Sequence, residues 1–175
     1  MTHDETYCYF AYGSNLATAR LQARVPSAHC LGRAVLPGHR LAYHKQGADG
    51  SAKCDACYTG LAADEVHGVV FEIAAADLPN LDAAEGPRYE RVELAVTGED
   101  GRSRTALTYR ALPAYIDDRL TPYCWYRDHV LRGAREHGLP EGYIAERIEV
   151  ACAEDPDPER CRQERAVHAE PVPVR

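Results

Sequence analysis

The run Tyr7–Leu16, Tyr-Cys-Tyr-Phe-Ala-Tyr-Gly-Ser-Asn-Leu, constrains this chain more than any other stretch. Its first half is aromatic, with Tyr7, Tyr9 and Phe10, and such rings pack best on a β-sheet. Gly13-Ser14-Asn15 then interrupts the strand with three residues that tolerate tight or left-handed backbone. Beyond the break, Leu16–Arg24 reads as a helix. Leu16 and Leu21 fall on one side, Arg20 and Arg24 stand at i, i+4, and Ser14 or Asn15 is the expected N-cap. A strand, a small-residue turn and a helix start leave backbone N–H groups unpaired and pointing one way, where the helix dipole adds partial positive charge. Two readings are open: an ordinary capped turn, or a cradle for a carboxylate or developing oxyanion.

A chain of 175 residues is long enough for a sizeable core and reads as one domain over residues 1–153. Residues 154–175 form an acidic, proline-containing tail. Within it Glu154–Glu159 is too acidic and proline-rich to pack, a short helix is expected at Glu159–Val167, and disorder at 170–175. The formal charge of −7, with no basic cluster to offset it, argues against a nucleic-acid or anionic-membrane partner. No apolar run is long enough to cross a bilayer, and Met-Thr-His-Asp-Glu lacks the features of a signal peptide, so a cytoplasmic location is expected. Seven cysteines, an odd count without an export signal, point to reduced thiols rather than a disulfide framework. The close pair Cys54/Cys57 lacks a second pair to complete a zinc site and sits in a polar loop rather than at a strand-to-helix junction. It reads as incidental, and no metal site is expected.

Residues 28–45 read as two short strands about the turn Pro37-Gly38, followed by a polar loop over Gln46–Asp55. Cys57–Leu61 and Val66–Ile73 read as strands, the second being the clearest β signal, with His67 inside it as a packing residue. Asp77–Gly86 is a short helix ended by Gly86-Pro87. Tyr89–Val96 alternates with period two and returns through Glu99-Asp100-Gly101 into Thr105–Tyr109. A helix follows Thr121-Pro122 and stops at Gly138, and a second covers roughly Tyr143–Val150. Strands in a meander with inserted helices indicate an α+β chain with an antiparallel or mixed sheet.

Glu85 is the carboxylate that stands out, near the end of an apolar helix. Partial burial would raise its pKa toward the range that a proton-shuttling residue requires, whereas a solvated helix-end glutamate would be unperturbed. Eleven tyrosines against two phenylalanines suit a polar pocket lined by rings, or a modest core. Ser14 lacks the glycine two residues later that a nucleophile elbow requires; Leu16 stands there. Phosphate-loop, dinucleotide and zinc-protease motifs are absent, and the eight histidines are scattered without ligand spacing.

Five segments in order, Phe10–Leu16, Val25–Ala28, Asp64–Val70, Leu81–Gly86 and Gly133–Pro140, resemble the γ-glutamylcyclotransferases of the AIG2-like superfamily over roughly residues 7–150. The resemblance implies a compact mixed β-barrel core with surrounding helices. It also implies conversion of a γ-glutamyl-amino acid or γ-glutamyl-amine into 5-oxoproline and the free amine, without cofactor or metal, in γ-glutamyl peptide and glutathione metabolism. Glu85 would be the general acid/base. Tyr12, Gly13, Ser14, Asn15 and Leu16 would form the loop whose amides hold the γ-glutamyl group, and Tyr89, Tyr109 and Tyr126 would match tyrosines of the site. The segment between Glu85 and Tyr89 is shorter than in the animal enzymes and that before Tyr126 is longer, which puts the pocket wall near Arg88 and the Tyr126 match in question. A homodimer is suggested by the family alone. The alternatives are a non-catalytic small-molecule-binding or interaction module, and an enzyme of the same scaffold acting on a γ-glutamyl-protected intermediate.

Overall fold

Val66–Ile73 lies at the centre of the computed structural model, which describes residues 5–169. It belongs to β5 (Glu65–Ala74), which pairs antiparallel with β1 (Thr6–Ala11) on one side and β2 (His29–Pro37) on the other. Val66, Val69, Val70, Phe71 and Ile73 are all buried, so both faces of this strand are covered. One face looks into a barrel. The other receives His137 against Phe71 and Tyr143 against His67.

β2 continues the sheet to β6 (Tyr89–Gly98), and β6 to β7 (Ser103–Ala111) through the expected turn at Glu99-Asp100-Gly101. The strand order β1-β5-β2-β6-β7 closes on itself through a parallel contact at Tyr9 and Leu107. The architecture is the expected α+β mixed barrel with helices around it. β3 (His39–Gln46) and β4 (Ala52–Tyr58) form a separate antiparallel pair. The polar loop expected over Gln46–Asp55 is therefore shorter, and β4 begins at Ala52. Asp55 gives the physical reason, because its buried carboxylate accepts the Ala111 N–H at 2.8 Å and faces His44 Nε2 at 2.8 Å. A strand that reads as polar is stable because its acid docks onto the barrel.

The helices are α1 (Thr18–Arg24), α2 (Leu78–Glu85), α3 (Cys124–Glu136), α4 (Glu141–Tyr143) and α5 (Pro158–Ala166). The second helix expected near Tyr143–Val150 is instead the short α4 continued by a wide π-type turn at Ile144–Ile148, which buries Ile144 and Ile148. Two glycines permit close approach under the Tyr12–Leu16 loop. A Cβ at Gly133 of α3 would stand 2.2 Å from the Ala17 nitrogen, and one at Gly68 of β5 would stand 2.3 Å from the Ala11 carbonyl oxygen. No other residue type fits either position without displacing backbone.

Two expectations fail toward the C-terminus. Cys124 and Cys152 are joined as a disulfide, so the thiols are not all reduced; the two residues are brought together where Cys124 N–H donates to Ala153 O at the base of α3. The run Glu154–Glu159 departs from expectation at Asp155 alone, its other residues being exposed. The Asp155 side chain is enclosed, accepts the Trp125 indole N–H at 2.7 Å and pairs with Arg160. Asp157 then caps α5 by accepting from the Glu159 and Arg160 N–H groups. The disorder expected at 170–175 lies outside the described residues.

α5 is held to the body by a buried polar cluster. Arg20 pairs with Glu164, and His129 Nε2 accepts from Arg20 at 3.2 Å while its Nδ1 faces His168 Nε2 at 2.6 Å. Burial lowers His129 from 6.5 to about 4. The unfolded chain takes up this proton near 6.5 and the folded chain only near 4, so the contribution to stability is present above 6.5 and is lost as pH falls between these values. Hydrogen exchange at residues 158–166, corrected for its intrinsic rate, should therefore accelerate over that interval, and the step should shrink in His129→Gln, leaving the smaller part due to His168, which burial also lowers. Gly133→Ala should cost about 1–3 kcal/mol by denaturant unfolding, because the new methyl meets backbone rather than a flexible side chain.

Candidate active site

Glu85 is the last residue of α2, and its Oε1 accepts a 2.9 Å hydrogen bond from Asn15 Nδ2. The same amide nitrogen donates to the Tyr9 hydroxyl at 3.1 Å, while Asn15 Oδ1 accepts from Arg24 Nη1 at 3.2 Å. Because a guanidinium can only donate, Arg24 fixes the oxygen side of Asn15 and turns both amide hydrogens toward Tyr9 and Glu85. Burial raises Glu85 above the ordinary 4.5, against the opposing charges of Arg24, Lys45 and Arg20. Burial outweighs these charges, and the carboxyl stands above the usual carboxylate range.

The loop arrives by a different local route from the one expected. Ser14–Leu16 is a single 3-10 turn, and α1 starts only at Thr18 with Ala17 in the cap position, so neither Ser14 nor Asn15 caps it. The first-turn N–H of Thr18 faces Glu136. What remains from the expected cradle are the N–H groups of Gly13, Ser14 and Asn15, which have no backbone acceptor among the described residues. The Ser14 hydroxyl accepts from Arg20 Nε at 3.2 Å.

Tyr12, Gly13, Ser14, Asn15, Glu85, Tyr109 and Tyr126 are brought together around a hollow of about 30 Å³, with Tyr9 and Cys54 completing its wall. Leu16 is fully buried in the core and lines no part of it. Tyr89 stands in the wall of an adjoining open cleft of about 550 Å³, and the two spaces share Ser14, Glu85 and Tyr126. The tyrosine hydroxyls are occupied. Tyr12 donates to Tyr109 O at 2.5 Å, Tyr109 to Asp82 Oδ1 at 2.5 Å, and Tyr89 to Cys54 O at 2.6 Å, while Tyr126 accepts from Cys54 N–H at 2.9 Å. Burial pushes Tyr9, Tyr12, Tyr89 and Tyr126 well above 10, so they are neutral rings.

Residues 65–146 match the AIG2-like family. A curated γ-glutamylcyclotransferase of Bos taurus is 32% identical over 148 residues, 79% of this chain and 76% of the relative. The Homo sapiens γ-glutamylcyclotransferase is 32% identical over 149 residues, 80% of this chain and 76% of the relative. The chain belongs to the γ-glutamylcyclotransferase family. A solved human protein, 28% identical, superposes with a TM-score of 0.74 over 85% of this chain and 90% of its own. A solved γ-glutamyl cyclotransferase, 24% identical with a TM-score of 0.77 over 91% of this chain and 99% of its own, shares the fold.

Within this cyclotransferase-family scaffold, Tyr9 and Cys54 are the wall residues that sequence reasoning missed. Tyr9 was legible as a strand aromatic whose buried hydroxyl needs a partner. Cys54 was hidden by its reading as loop. Burial pushes its thiol up to about 12, so it is inert as a nucleophile. His44, Asp55 and Cys57 offer donor atoms within 4.8 Å of one another. Both His44 ring nitrogens are already engaged, by Asp55 and Asp118, and Asp55 also takes the Ala111 N–H, so the cluster is a structural hydrogen-bond network. No helix among the described residues is long and apolar enough to cross a membrane.

Asn15→Ala should destabilise the fold by about 1–3 kcal/mol, since Glu85 and Tyr9 lose their donor while remaining enclosed. In a carboxyl carbon NMR titration Glu85 should titrate above 4.5 in the parent, and higher still in the variant.

Proposed function

We propose that this chain cyclises γ-glutamyl amides, releasing 5-oxoproline and the free amine, with Glu85 as general acid/base. The observation that carries this reading is the position of Glu85, a carboxyl with a raised pKa, held by Asn15 where a tyrosine-walled polar hollow opens into a wide cleft.

The substrate supplies its own nucleophile. Glu85 takes a proton from the α-ammonium, and the freed amine attacks the γ-carbonyl carbon, forming the ring C–N bond. The scissile amide C–N bond then breaks as Glu85 returns that proton to the departing nitrogen, and the second proton of the ring nitrogen follows to the released amine, leaving a neutral lactam and an ammonium. Protons and bonds balance without a protein nucleophile, which is consistent with a Ser14 hydroxyl engaged by Arg20 rather than by a base. The free N–H groups of Gly13, Ser14 and Asn15 are suited to orient the glutamyl half and to stabilise charge on the γ-oxygen. The name of the relatives supports the same reaction.

The test is 5-oxoproline release from a panel of γ-glutamyl compounds, with Glu85→Gln alongside. Turnover should fall by at least about 100-fold in the variant, while its melting temperature and γ-glutamyl ligand binding stay close to those of the parent. Near-parental turnover in Glu85→Gln would refute the mechanism. A chain that binds the panel but turns none of it over would be the non-catalytic binding module instead.

A further inference from the structure

The cleft beyond Glu85 has a charge that the cyclisation alone does not require. Six cationic side chains and three carboxylates line it, in a chain whose formal charge is −7. Three of the cations are neutralised within the protein: Arg20 by Glu164, Lys53 by Asp49 and Arg160 by Asp155. Arg24 is committed to Asn15. Lys45 and Arg88 are left, and among the described residues neither has a carboxylate within ion-pair distance.

Both stand beside Tyr89 in the wall of the cleft, Lys45 over its ring and Arg88 next to it in the chain. Lys45 is only 5% exposed, and its ammonium sits 4.0 Å from the Tyr89 ring centroid with no hydrogen-bond acceptor from the protein. The ring is itself anchored, because its hydroxyl donates to Cys54 O. Arg88 uses Nη1 on the carbonyls of Gln46 and Gly47, at 3.4 and 2.9 Å, and packs 5.0 Å from the Tyr115 ring centroid, which leaves the rest of its fork unpaired. Glu85 and Asp49 act on Lys45 only from beyond ion-pair distance, so its ammonium is open to direct pairing with an anion that arrives from outside. Burial lowers Lys45 to about 8, so it remains largely protonated at neutral pH.

We propose that Lys45 and Arg88 form a subsite for anionic groups on the departing amine, so that the preferred substrates are γ-glutamyl amides whose leaving half is an acidic amino acid. This rests on the cyclisation proposed above. The cations of the loop side, Arg20 and Arg24, remain with the glutamyl half. Neutral and cationic leaving amines leave Lys45 and Arg88 without an ion-pair partner and are disfavoured.

The test keeps the glutamyl half constant and varies the charge of the leaving half. The probes are γ-glutamyl-glutamate, γ-glutamyl-alanine and γ-glutamyl-alaninamide, with leaving halves of two, one and no carboxylates. In the parent protein kcat/KM should rise about tenfold for each carboxylate, the size of one hydrogen-bonded charge pair. In Lys45→Met and in Arg88→Met the ratio between the first and last probes should shrink about tenfold, through KM. Equal kcat/KM across the probes, a preference for the amide, or an undiminished ratio in both variants would each overturn the subsite. So would a uniform rise in KM over all three probes, which would place these cations with the glutamyl half. Calorimetric binding of the same probes to Glu85→Gln separates this inference from the reaction it rests on. Charge-ordered binding without any parental turnover would refute the cyclisation and leave the anion subsite standing. Turnover without charge order would do the reverse, and no binding at all would refute both.

Discussion

The side-chain amide of Asn15 is the piece on which the site depends. It joins three elements at once, accepting from Arg24 of α1 and donating to Tyr9 of β1 and Glu85 of α2. One hydrogen bond to a charged group contributes about 1.5–3 kcal/mol, whereas enclosing a carboxylate costs several. The cations Arg24, Lys45 and Arg20 act with Asn15 against the cost of burial, and desolvation still prevails, so the Glu85 pKa is raised. The close approaches at Gly68 and Gly133 serve the same end, pressing β5 and α3 against the chain on either side of Asn15.

The surplus of tyrosine over phenylalanine has a mechanical explanation at the seam between the β3–β4 pair and the barrel. Tyr89 and Tyr126 grip the two polar atoms of Cys54, one donating to its carbonyl and the other accepting from its N–H. Phenylalanine would fill the same volume and leave both backbone groups enclosed without partners. The rings are therefore wall and fastening together, and the Tyr89 hydroxyl commits its proton to Cys54 O while that of Tyr126 keeps its own to donate.

Much of the barrel could be read from local pattern. The apolar run Val66–Ile73, the alternation after Tyr89 and the turn at Glu99-Asp100-Gly101 each encode a strand or hairpin in neighbouring residues alone. Glu85 and the Tyr12–Leu16 loop were legible through ordered motifs. What escaped depends on distant partners. Ala52–Asp55 reads as loop until Ala111 offers Asp55 an N–H, and Asp155 reads as a solvated acid until the Trp125 indole and Arg160 are beside it. The pairing of Cys124 with Cys152 is likewise a consequence of how the chain returns to the base of α3. The cap of α1 shows the limit of local rules from the other side, since Ser14 and Asn15 are good caps whose polar groups are engaged elsewhere.

Trp125 is the chain's one tryptophan, and its surroundings give it a use outside the chemistry. One side of the indole faces the cleft beneath Lys53, 4.5 Å from the ring centroid, and its N–H reaches into the segment that leads to α5. An ammonium over an indole and a carboxylate at its nitrogen both act on the excited-state dipole of the ring. The molecule thus contains an optical gauge at the junction of cleft and C-terminal helix, able to report occupancy of the one and detachment of the other without a label.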